Sequence, residues 1–281
     1  MPSKGSVCLT FDFDAISLWA ARGLVSPGPV SRGEFCAYAI ARILRLLDRH
    51  GIITTFFVPG HTLETYPEQC AAIHEAGHEI GLHGYLHESV SSLDRDTERS
   101  VLHRSADLIE KLTGTRPLGH RTPSFDFSPH TVELLEELAI EYDSSLMGTD
   151  HEPYYARVGD QHQDDGPYLW GRRSSVVEVP ASWTLDDYVH LEYVRFNGMV
   201  MPGLQDPRSM FARFLDEVRY MAEHIEDGVT NITLHPQVIG RGGRMLALEE
   251  FIDRCQGFGV EFRTCLHVSR AFRARALAAT G

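Results

Sequence analysis

The sequence repeats one pattern, in which an amphipathic helix ends at a glycine and a short apolar strand follows. Across residues 35–50, apolar side chains recur every three or four positions, which predicts a helix with one buried face. Gly51 is suited to end this helix, because glycine readily takes the left-handed conformation found at helix C-termini. Residues 52–58 are β-branched and aromatic, which is typical of a strand buried on both faces. The pattern therefore predicts strands that alternate with helices.

The number and spacing of the predicted strands favour a barrel. Because a helix separates most strands, right-handed crossovers should give a mainly parallel sheet. Strands are predicted near residues 7–13, 53–58, 79–82, 117–120, 140–144, 176–180, 230–234 and 260–263. We expect one α/β domain over residues 1–281, folded as a (β/α) barrel that is distorted or one strand short, with a doubly wound open sheet as the alternative. Residues 147–173 and 197–207 break the pattern and are predicted to be irregular loops that form site walls or oligomer contacts.

Composition limits the classes of partner. The formal net charge of -13 argues against nucleic-acid binding, because little basic surface is available to neutralise phosphates. The five cysteines are scattered without a Cys-x-x-Cys motif, which is typical of free thiols in a reducing compartment. No apolar run approaches 18 residues, and the first residues lack the pattern of a secretion signal. We therefore expect a cytoplasmic protein that binds neither nucleic acid nor membrane.

The first predicted strand ends in two carboxylates, Asp12 and Asp14. Side chains two positions apart on a strand point to the same side, so these carboxylates should repel unless a cation or a shared proton lies between them. In the alternative interpretation, one of the pair caps a helix and the other is solvated. Since the carboxyl ends of barrel strands carry the chemistry, this strand end is a candidate site.

The third predicted strand ends in His83 and His87. A spacing of four residues places both imidazoles on one side of a helical turn, where they can chelate one metal ion. Gly84 lets the chain turn sharply out of the strand. Together with Asp14, the two histidines form a three-ligand set that leaves coordination positions open, which is typical of catalytic metal sites.

Later strand ends add further candidate residues. Arg121 is placed to pair with a carboxylate at the barrel mouth, although taken alone it would be an ordinary surface arginine. Pro123 should stiffen the turn that follows. Residues 183–187 offer an aromatic wall, Trp183, and acids suited to orient a histidine. His235 directly follows an apolar strand and is positioned to act as a general acid.

The ordered set of these residues resembles the NodB-homology polysaccharide deacetylase family, over almost the whole chain. The set is Asp12-x-Asp14, His83-x-x-x-His87, Arg121-x-Pro123, a Trp/Asp segment and Leu234-His235-Pro236. The resemblance implies a distorted (β/α)7 barrel with a divalent metal, usually zinc, bound by Asp14, His83 and His87. It also implies that Asp12 is the general base, tuned by Arg121, and that His235 is the general acid.

Two departures from the common family motifs narrow the resemblance. The common motif has two adjacent acids followed by glycine, whereas Phe13 separates Asp12 from Asp14 here. The second motif normally has serine or threonine at the position of Gly84. These variants resemble a subgroup of intracellular peptidoglycan-deacetylase-like proteins and allantoinase-like amidohydrolases. That subgroup implies a homotetramer, and substrates that include small cyclic amides or imides.

We therefore expect a metal-dependent hydrolase of non-peptide carbon–nitrogen bonds, acting on a small amide, cyclic imide, ureide, formamide or N-acetyl sugar. A metal-free hydrolase, in which the three ligand residues bind substrate directly, and a non-catalytic ligand-binding barrel are the alternatives. The residues that select the substrate are expected in segments 15–33, 147–173 and 184–207. Substrate contacts are predicted for Gly84, Pro123, Trp183 and Asp187, and either pocket walls or ordinary rim packing for Trp19, Tyr154, Tyr155, Trp170 and Trp183.

Overall fold

Strands and helices alternate along most of residues 5–196 and 199–278, which are the residues that this computed structural model describes. The strands are β1 (Ser6–Asp12), β2 (Thr55–Val58), β3 (Glu79–Leu82), β4 (Gly119–His120), β5 (Tyr142–Asp143), β6 (Tyr154–Val158), β7 (Arg172–Glu178), β8 (Tyr193–Phe196), β9 (Met199–Pro202), β10 (Val229–Leu234) and β11 (Glu261–Phe262). The helices are α1 (Ser17–Ala21), α2 (Pro27–Arg49), α3 (Gly60–Thr65), α4 (Pro67–Glu75), α5 (Arg95–Thr113), α6 (Thr131–Glu137), α7 (Asp187–Leu191), α8 (Pro207–His224), α9 (Pro236–Ile239), α10 (Gly242–Gly257) and α11 (Cys265–Ala278).

One curled sheet carries the fold. Its strands run in the order β10-β1-β2-β3-β4-β5-β7-β6, and β11 pairs with the first residues of β1. Strand β6 is antiparallel to β7, whereas every other pairing in this sheet is parallel. The parallel strands therefore present their carboxyl ends at one end of the sheet, where ligands of such folds bind.

The sheet closes on itself at a seam between β7 and β10. The side-chain nitrogen of Asn231, on β10, donates to the carbonyl oxygen of Pro180 at 3.1 Å, just past the end of β7. A single parallel bridge joins Asp186 to Thr233 a little further along. Side-chain hydrogen bonds and one bridge thus replace a regular ladder at the seam of the described sheet. The predicted distorted barrel is confirmed, and the open doubly wound sheet is not adopted.

The side chains of β1 alternate between the barrel interior and the helical shell. Val7, Leu9 and Phe11 pack outward in the larger core cluster, and Phe11 stacks on Phe56 with ring centroids 4.9 Å apart. Cys8, between them, faces an interior cluster supplied by several strands. The members of that cluster are Cys8, Phe57, Tyr142, Val177, Val179, Val229, Cys265 and Val268. The strand period of two therefore directs the next inward side chains, Thr10 and Asp12, toward the carboxyl end of the interior.

Helix α2 has the predicted buried stripe and the predicted stop. Ala39, Ile43 and Leu47 are buried, and Gly51 follows the helix with a φ of 63°. The helix begins at Pro27, earlier than the apolar pattern indicates. The pattern does not reveal the first turn because that turn is largely exposed and carries no apolar stripe. None of the helices in the part of the chain that the structure describes is long and apolar enough to cross a membrane.

The two segments predicted to be irregular contain strands. Segment 147–173 includes β6, which forms an antiparallel hairpin with β7 at the sheet edge. Segment 197–207 includes β9, which pairs with β8 in a separate antiparallel hairpin; residues 197–198 lie outside the described residues. Edge and hairpin strands keep one face in solvent, so they lack the continuous apolar run that marks the central strands. The prediction of irregular loops was wrong for these strands for that reason.

Packing across β4 gives a first testable prediction. A Cβ atom on Gly119 would clash with the ring of Tyr142, which is fully buried and donates its hydroxyl hydrogen to Glu79 at 2.7 Å. Gly119→Ala should therefore lower the free energy of unfolding by about 1–3 kcal/mol, the usual cost of overpacking. Urea denaturation followed by circular dichroism measures this change.

Gly243→Ala is the matched control. Gly243 lies in the first turn of α10 with no atom within 4 Å of the added Cβ. Alanine there should leave stability unchanged or raise it by about 0.5–1 kcal/mol, because glycine is a poor helix former. Equal stability of the wild type and Gly119→Ala would contradict the described contact between β4 and β5.

Candidate active site

The carboxyl ends of four strands converge at one end of the barrel. Asp12 is the last residue of β1, His83 follows β3, Arg121 follows β4 and His235 follows β10. Asp14 lies two residues beyond β1 and is fully buried. The structure therefore brings together residues that are as much as 223 positions apart in the sequence, all at the strand ends that the sequence singled out.

Asp14, His83 and His87 offer three ligand atoms to one point. These atoms lie within 4.8 Å of one another, and Nε2 of His83 is 3.3 Å from Oδ1 of Asp14. Nδ1 of His83 donates to the carbonyl oxygen of Arg121 at 2.9 Å, which leaves Nε2 free for a metal. Both oxygens of Asp14 and Nε2 of His83 are buried and form no hydrogen bond with any described residue. Buried groups of this kind need a partner, and a divalent cation fits this donor set.

The pKa values of His87 and Asp14 also suit a cation site. Burial would lower the pKa of His83, but the carboxylates of Asp12 and Asp14 outweigh it and raise that pKa, so a cation would displace a proton there. Burial lowers the pKa of His87 to about 4, so its ring is neutral and can coordinate. Burial would raise the pKa of Asp14, but the imidazoles of His87 and His83 outweigh it and hold that pKa below its ordinary value. Asp14 is therefore an ionised carboxylate across the physiological pH range.

A loop brings His83 and His87 together, and not the helical turn that their spacing predicts. Gly84 has a φ of 65° and His87 a φ of 57°, so the chain turns through left-handed conformations after β3. A Cβ on Gly84 would lie 2.7 Å from the carboxylate of Glu88 and 3.1 Å from Pro123. Glu88 in turn accepts hydrogen bonds from two backbone N–H groups of the loop. The four-residue spacing correctly indicated that the two histidines lie together, but a loop brings them together and a helical turn does not.

Arg121 holds Asp12 in a buried ion pair. Its Nη1 lies 2.8 Å from Oδ1 of Asp12, and the guanidinium is completely buried. Nε donates to the carbonyl oxygen of Ser144 and Nη2 to its hydroxyl oxygen, so all three guanidinium nitrogens form hydrogen bonds. Oδ2 of Asp12 faces the site, 3.8 Å from Nε2 of His83 and 4.0 Å from Nε2 of His235. The pair leaves one carboxylate oxygen of Asp12 directed at the reaction site.

His235 is oriented by a second carboxylate. Its Nδ1 donates to Asp187 at 2.8 Å, and its backbone N–H also donates to that carboxylate. Nε2 therefore points into the site, 3.9 Å from Oδ2 of Asp14. Burial would lower the pKa of His235, but the carboxylates of Asp186, Asp187 and Asp14 outweigh it and raise the pKa to about 10. The ring is a protonated imidazolium at neutral pH, with an N–H directed at the site.

A half-open pocket covers these groups, with about 490 Å³ of empty space including its mouth. The residues lining it are Asp12, Asp14, Leu18, Arg22, His83, His87, Ser124, Phe125, Trp183, Asp186, Tyr188, Val189 and His235. Trp183 forms part of the wall as predicted, and its ring packs edge-on against Phe125 at 4.8 Å. Gly84, Pro123 and Asp187 are not among the lining residues, and their substrate contacts stay predictions.

The other aromatic wall candidates lie elsewhere. Trp19 is buried in the core, Trp170 is 68% exposed beside Arg157, and Tyr155 packs on Phe272. Tyr154 accepts a hydrogen bond from the backbone of residue 148, away from the pocket. The segment 147–173 supplies no lining residue. Aromatic type alone could not identify the wall, because ordinary packing uses the same side chains.

Several lining residues were not predicted individually from the sequence, among them Leu18, Arg22, Phe125, Tyr188 and Val189. Leu18 and Arg22 follow the first carboxylate strand, and Tyr188 and Val189 lie on α7. Segments 15–33 and 184–207 were expected to select the substrate, but neither has a periodicity that singles out the inward residues. Proximity in sequence to a strand end was the one signal available.

Comparisons with known proteins agree on the family. The family model for polysaccharide deacetylases matches residues 2–142, half of the chain. A peptidoglycan deacetylase from Helicobacter pylori is 34% identical over 255 residues, which cover 86% of this chain and 87% of the relative. A solved candidate polysaccharide deacetylase from Mycobacterium smegmatis is 34% identical and superposes with a TM-score of 0.86, covering 98% of this chain and 92% of that one.

A solved allantoinase shares the fold. It superposes with a TM-score of 0.76 at 20% identity, over 97% of this chain and 91% of its own. At this identity the likeness concerns the fold alone. The family match and the H. pylori relative carry the assignment: the chain belongs to the polysaccharide deacetylase family of hydrolases, which act on carbon–nitrogen bonds other than peptide bonds.

Proposed function

We propose that the chain is a divalent-metal-dependent hydrolase of an amide-type carbon–nitrogen bond, with the metal held by Asp14, His83 and His87. The observation that carries this proposal is the set of buried donor atoms that lack a hydrogen-bond partner among the described residues. Two imidazoles and one carboxylate are a ligand set that suits zinc. When bound, the cation supplies Lewis-acid polarisation of the amide carbonyl and lowers the pKa of water.

Asp12 acts as the general base in this proposal. Arg121 fixes Oδ1, so Oδ2 is the oxygen able to take a proton from the attacking water. The ion pair with Arg121 also restricts rotation of the carboxylate. Asp12 therefore stays in place while the water oxygen forms its bond to the carbonyl carbon.

His235 acts as the general acid. Its Nε2–H is directed at the site, and Asp187 holds the ring through Nδ1. As the carbon–nitrogen bond breaks, this N–H supplies the proton to the leaving nitrogen, which then departs as a neutral amine or amide. The base and the acid approach from β1 and β10, two neighbouring strands, so both reach one small substrate.

The pocket favours a small amide, cyclic imide or ureide. Its enclosed space, about 90 Å³, is smaller than the roughly 300–1,000 Å³ of sites for drug-sized ligands, so only a small group fits inside it. An N-acetyl sugar is the second candidate, because the half-exposed ring of Trp183 at the rim suits stacking on a sugar face. The name of the H. pylori relative also supports this second candidate. The homotetramer and the cytoplasmic location stay predictions from the sequence.

His83→Ala should lose both bound metal and turnover, because two remaining ligands rarely hold a cation against water. The measurement is metal content per chain by mass spectrometry after dialysis, beside an assay of amide hydrolysis. His78→Ala is the control, since His78 is also buried but accepts a hydrogen bond from Thr54 outside the pocket. Activity that survives complete removal of metal by a chelator would favour the metal-free alternative and reject the proposal.

Asp12→Asn should keep the metal yet lose about 10²–10⁴-fold in kcat, the usual contribution of a general base. Asp14→Asn should lose the metal itself, because Asp14 is the proposed ligand. Metal analysis and steady-state kinetics on both variants separate the two roles. Equal metal loss in the two variants would show that Asp12 is a ligand and that the base is misassigned.

A substrate screen tests the reaction class. The zinc-loaded protein is assayed against cyclic imides, ureides, formamides and N-acetyl sugars, with product release followed by mass spectrometry. We expect kcat/KM for the best small amide to exceed that for N-acetyl sugars by at least about tenfold. This ratio corresponds to a difference of roughly 1.4 kcal/mol in activation free energy. Turnover confined to N-acetylated glycans would select the second candidate, and a metal-loaded protein that hydrolyses none of them would support a non-catalytic barrel.

A further inference from the structure

Arg22 is a cation in the pocket wall that the proposed reaction does not use. It directly follows α1, the short helix after Asp14, and lines the same pocket as the metal ligands. Its backbone N–H donates to Trp19 at 3.2 Å, and Gly23 then turns the chain with a φ of 68°. Among the described lining residues it is the one arginine. The turn thus fixes a guanidinium beside the reaction site.

The charge of Arg22 has no acidic partner within the described residues. Its one side-chain hydrogen bond runs from Nη1 to the hydroxyl oxygen of Tyr188 at 3.1 Å, and no carboxylate oxygen of the described chain lies within 4.0 Å. Arg32, close by, differs because it is paired with Glu192. A guanidinium carries five N–H donors in a planar fork, so most donors of Arg22 remain available to a ligand.

Tyr188 connects Arg22 with the reacting end of the pocket. The hydroxyl of Tyr188 accepts the hydrogen bond from Arg22, and the centroid of the tyrosine ring lies 5.2 Å from that of the His235 ring. One tyrosine side chain therefore spans from the unpaired cation to the proposed general acid. A small molecule can place an amide beside His235 and an anionic group on Arg22 at the same time, with Leu18 and Val189 as apolar walls.

The anion that fits best is a carboxylate. Arginine binds carboxylates through two parallel N–H···O bonds, whose geometry matches its fork. A phosphate dianion carries about twice the charge, and the three acids lining the pocket, Asp12, Asp14 and Asp186, would repel it more strongly. The other cations at the site are already paired: Arg121 with Asp12, and the imidazolium of His235 with Asp187.

We infer that Arg22 binds a carboxylate of the substrate, and that the preferred substrates are amides or cyclic ureides bearing a free carboxylate. This inference rests on the proposed function for the reaction, but the binding step can be measured without turnover. It narrows the substrate class from small amides in general to carboxylated ones.

The test compares carboxylates with neutral alcohols of the same shape. The zinc-loaded full chain is assayed with N-acetylglycine against N-acetylethanolamine, and with hydantoin-5-acetic acid against 5-(2-hydroxyethyl)hydantoin. The wild type should hydrolyse at least one acid with a higher kcat/KM than the matching alcohol. Arg22→Gln should reduce the acid-to-alcohol ratio by about 10- to 100-fold, mainly through KM, because a charge-assisted hydrogen bond is lost. Arg22→Lys keeps the charge but loses the planar pair of N–H donors, so its acid-to-alcohol ratio should lie between those of the wild type and Arg22→Gln.

Arg42→Gln is the matched control. Arg42 also lacks an ion pair among the described residues and donates to a tyrosine hydroxyl, that of Tyr38 at 3.2 Å, but it lies on α2 outside the pocket. Its variant should keep the wild-type ratio. Thermal unfolding of each variant confirms that the fold is retained. A wild type without preference for the acids, or an Arg22→Gln variant that slows acid and alcohol equally, would overturn the inference.

Calorimetric titration of the acids separates this inference from the proposed function. Binding of an acid that Arg22→Gln weakens about 10-fold or more supports the inference, even if no carbon–nitrogen bond is cleaved and the hydrolase proposal fails. Cleavage without carboxylate preference would overturn the inference alone. If neither acid binds, or if both bind equally well to wild type and Arg22→Gln, the carboxylate site is rejected.

Discussion

The architecture of the site depends on the burial of several carboxylates at one end of the barrel. Four of them are almost completely buried there: Asp12, Asp14, Asp186 and Asp187. A buried charge without a partner is very costly, so each carboxylate needs its own compensation. Arg121 pairs with Asp12, His235 pairs with Asp187, and burial raises the pKa of Asp186 to about 7, so that it is partly protonated at neutral pH. Asp14 faces only imidazoles, and it is the carboxylate that the proposed cation would neutralise.

The same hydrogen bonds that position the base also close the barrel. The hydroxyl oxygen of Ser144, beyond β5, accepts from Arg121 at 2.7 Å and from the side chain of Asn231 at 2.8 Å. Asn231 reaches on to Pro180 across the seam between β7 and β10. Closure of the irregular seam and orientation of Asp12 are therefore one network, and a shift at the seam would be transmitted to the base. This coupling accounts for a polar layer directly beneath the site.

The sequence predicted the buried parts of the fold better than the partly exposed ones. Central strands such as β1, β3 and β10 are almost wholly buried, so their apolar runs were visible. The polar residues that follow them identified Asp14, His83 and His235 as candidates. The hairpins formed by β6 and by β9 were missed because strands with a solvated face carry no such run. Arg22 was missed because a turn whose direction depends on tertiary packing places it in the pocket.

The spacing of Asp12 and Asp14, which departs from the common family motif, has a structural reason in this barrel. The residue between them, Phe13, is fully buried in the outer core, where its ring lies 6.3 Å from that of Tyr66. Its backbone N–H also donates to Phe57 at 2.9 Å, which extends the pairing with β2 past the end of β1. With a period of two, both carboxylates then face inward while the aromatic ring anchors the strand end to the helical shell. An adjacent pair of acids on the same regular strand would turn one carboxylate toward that shell, so the intervening phenylalanine allows the strand to stay extended up to the proposed metal ligand.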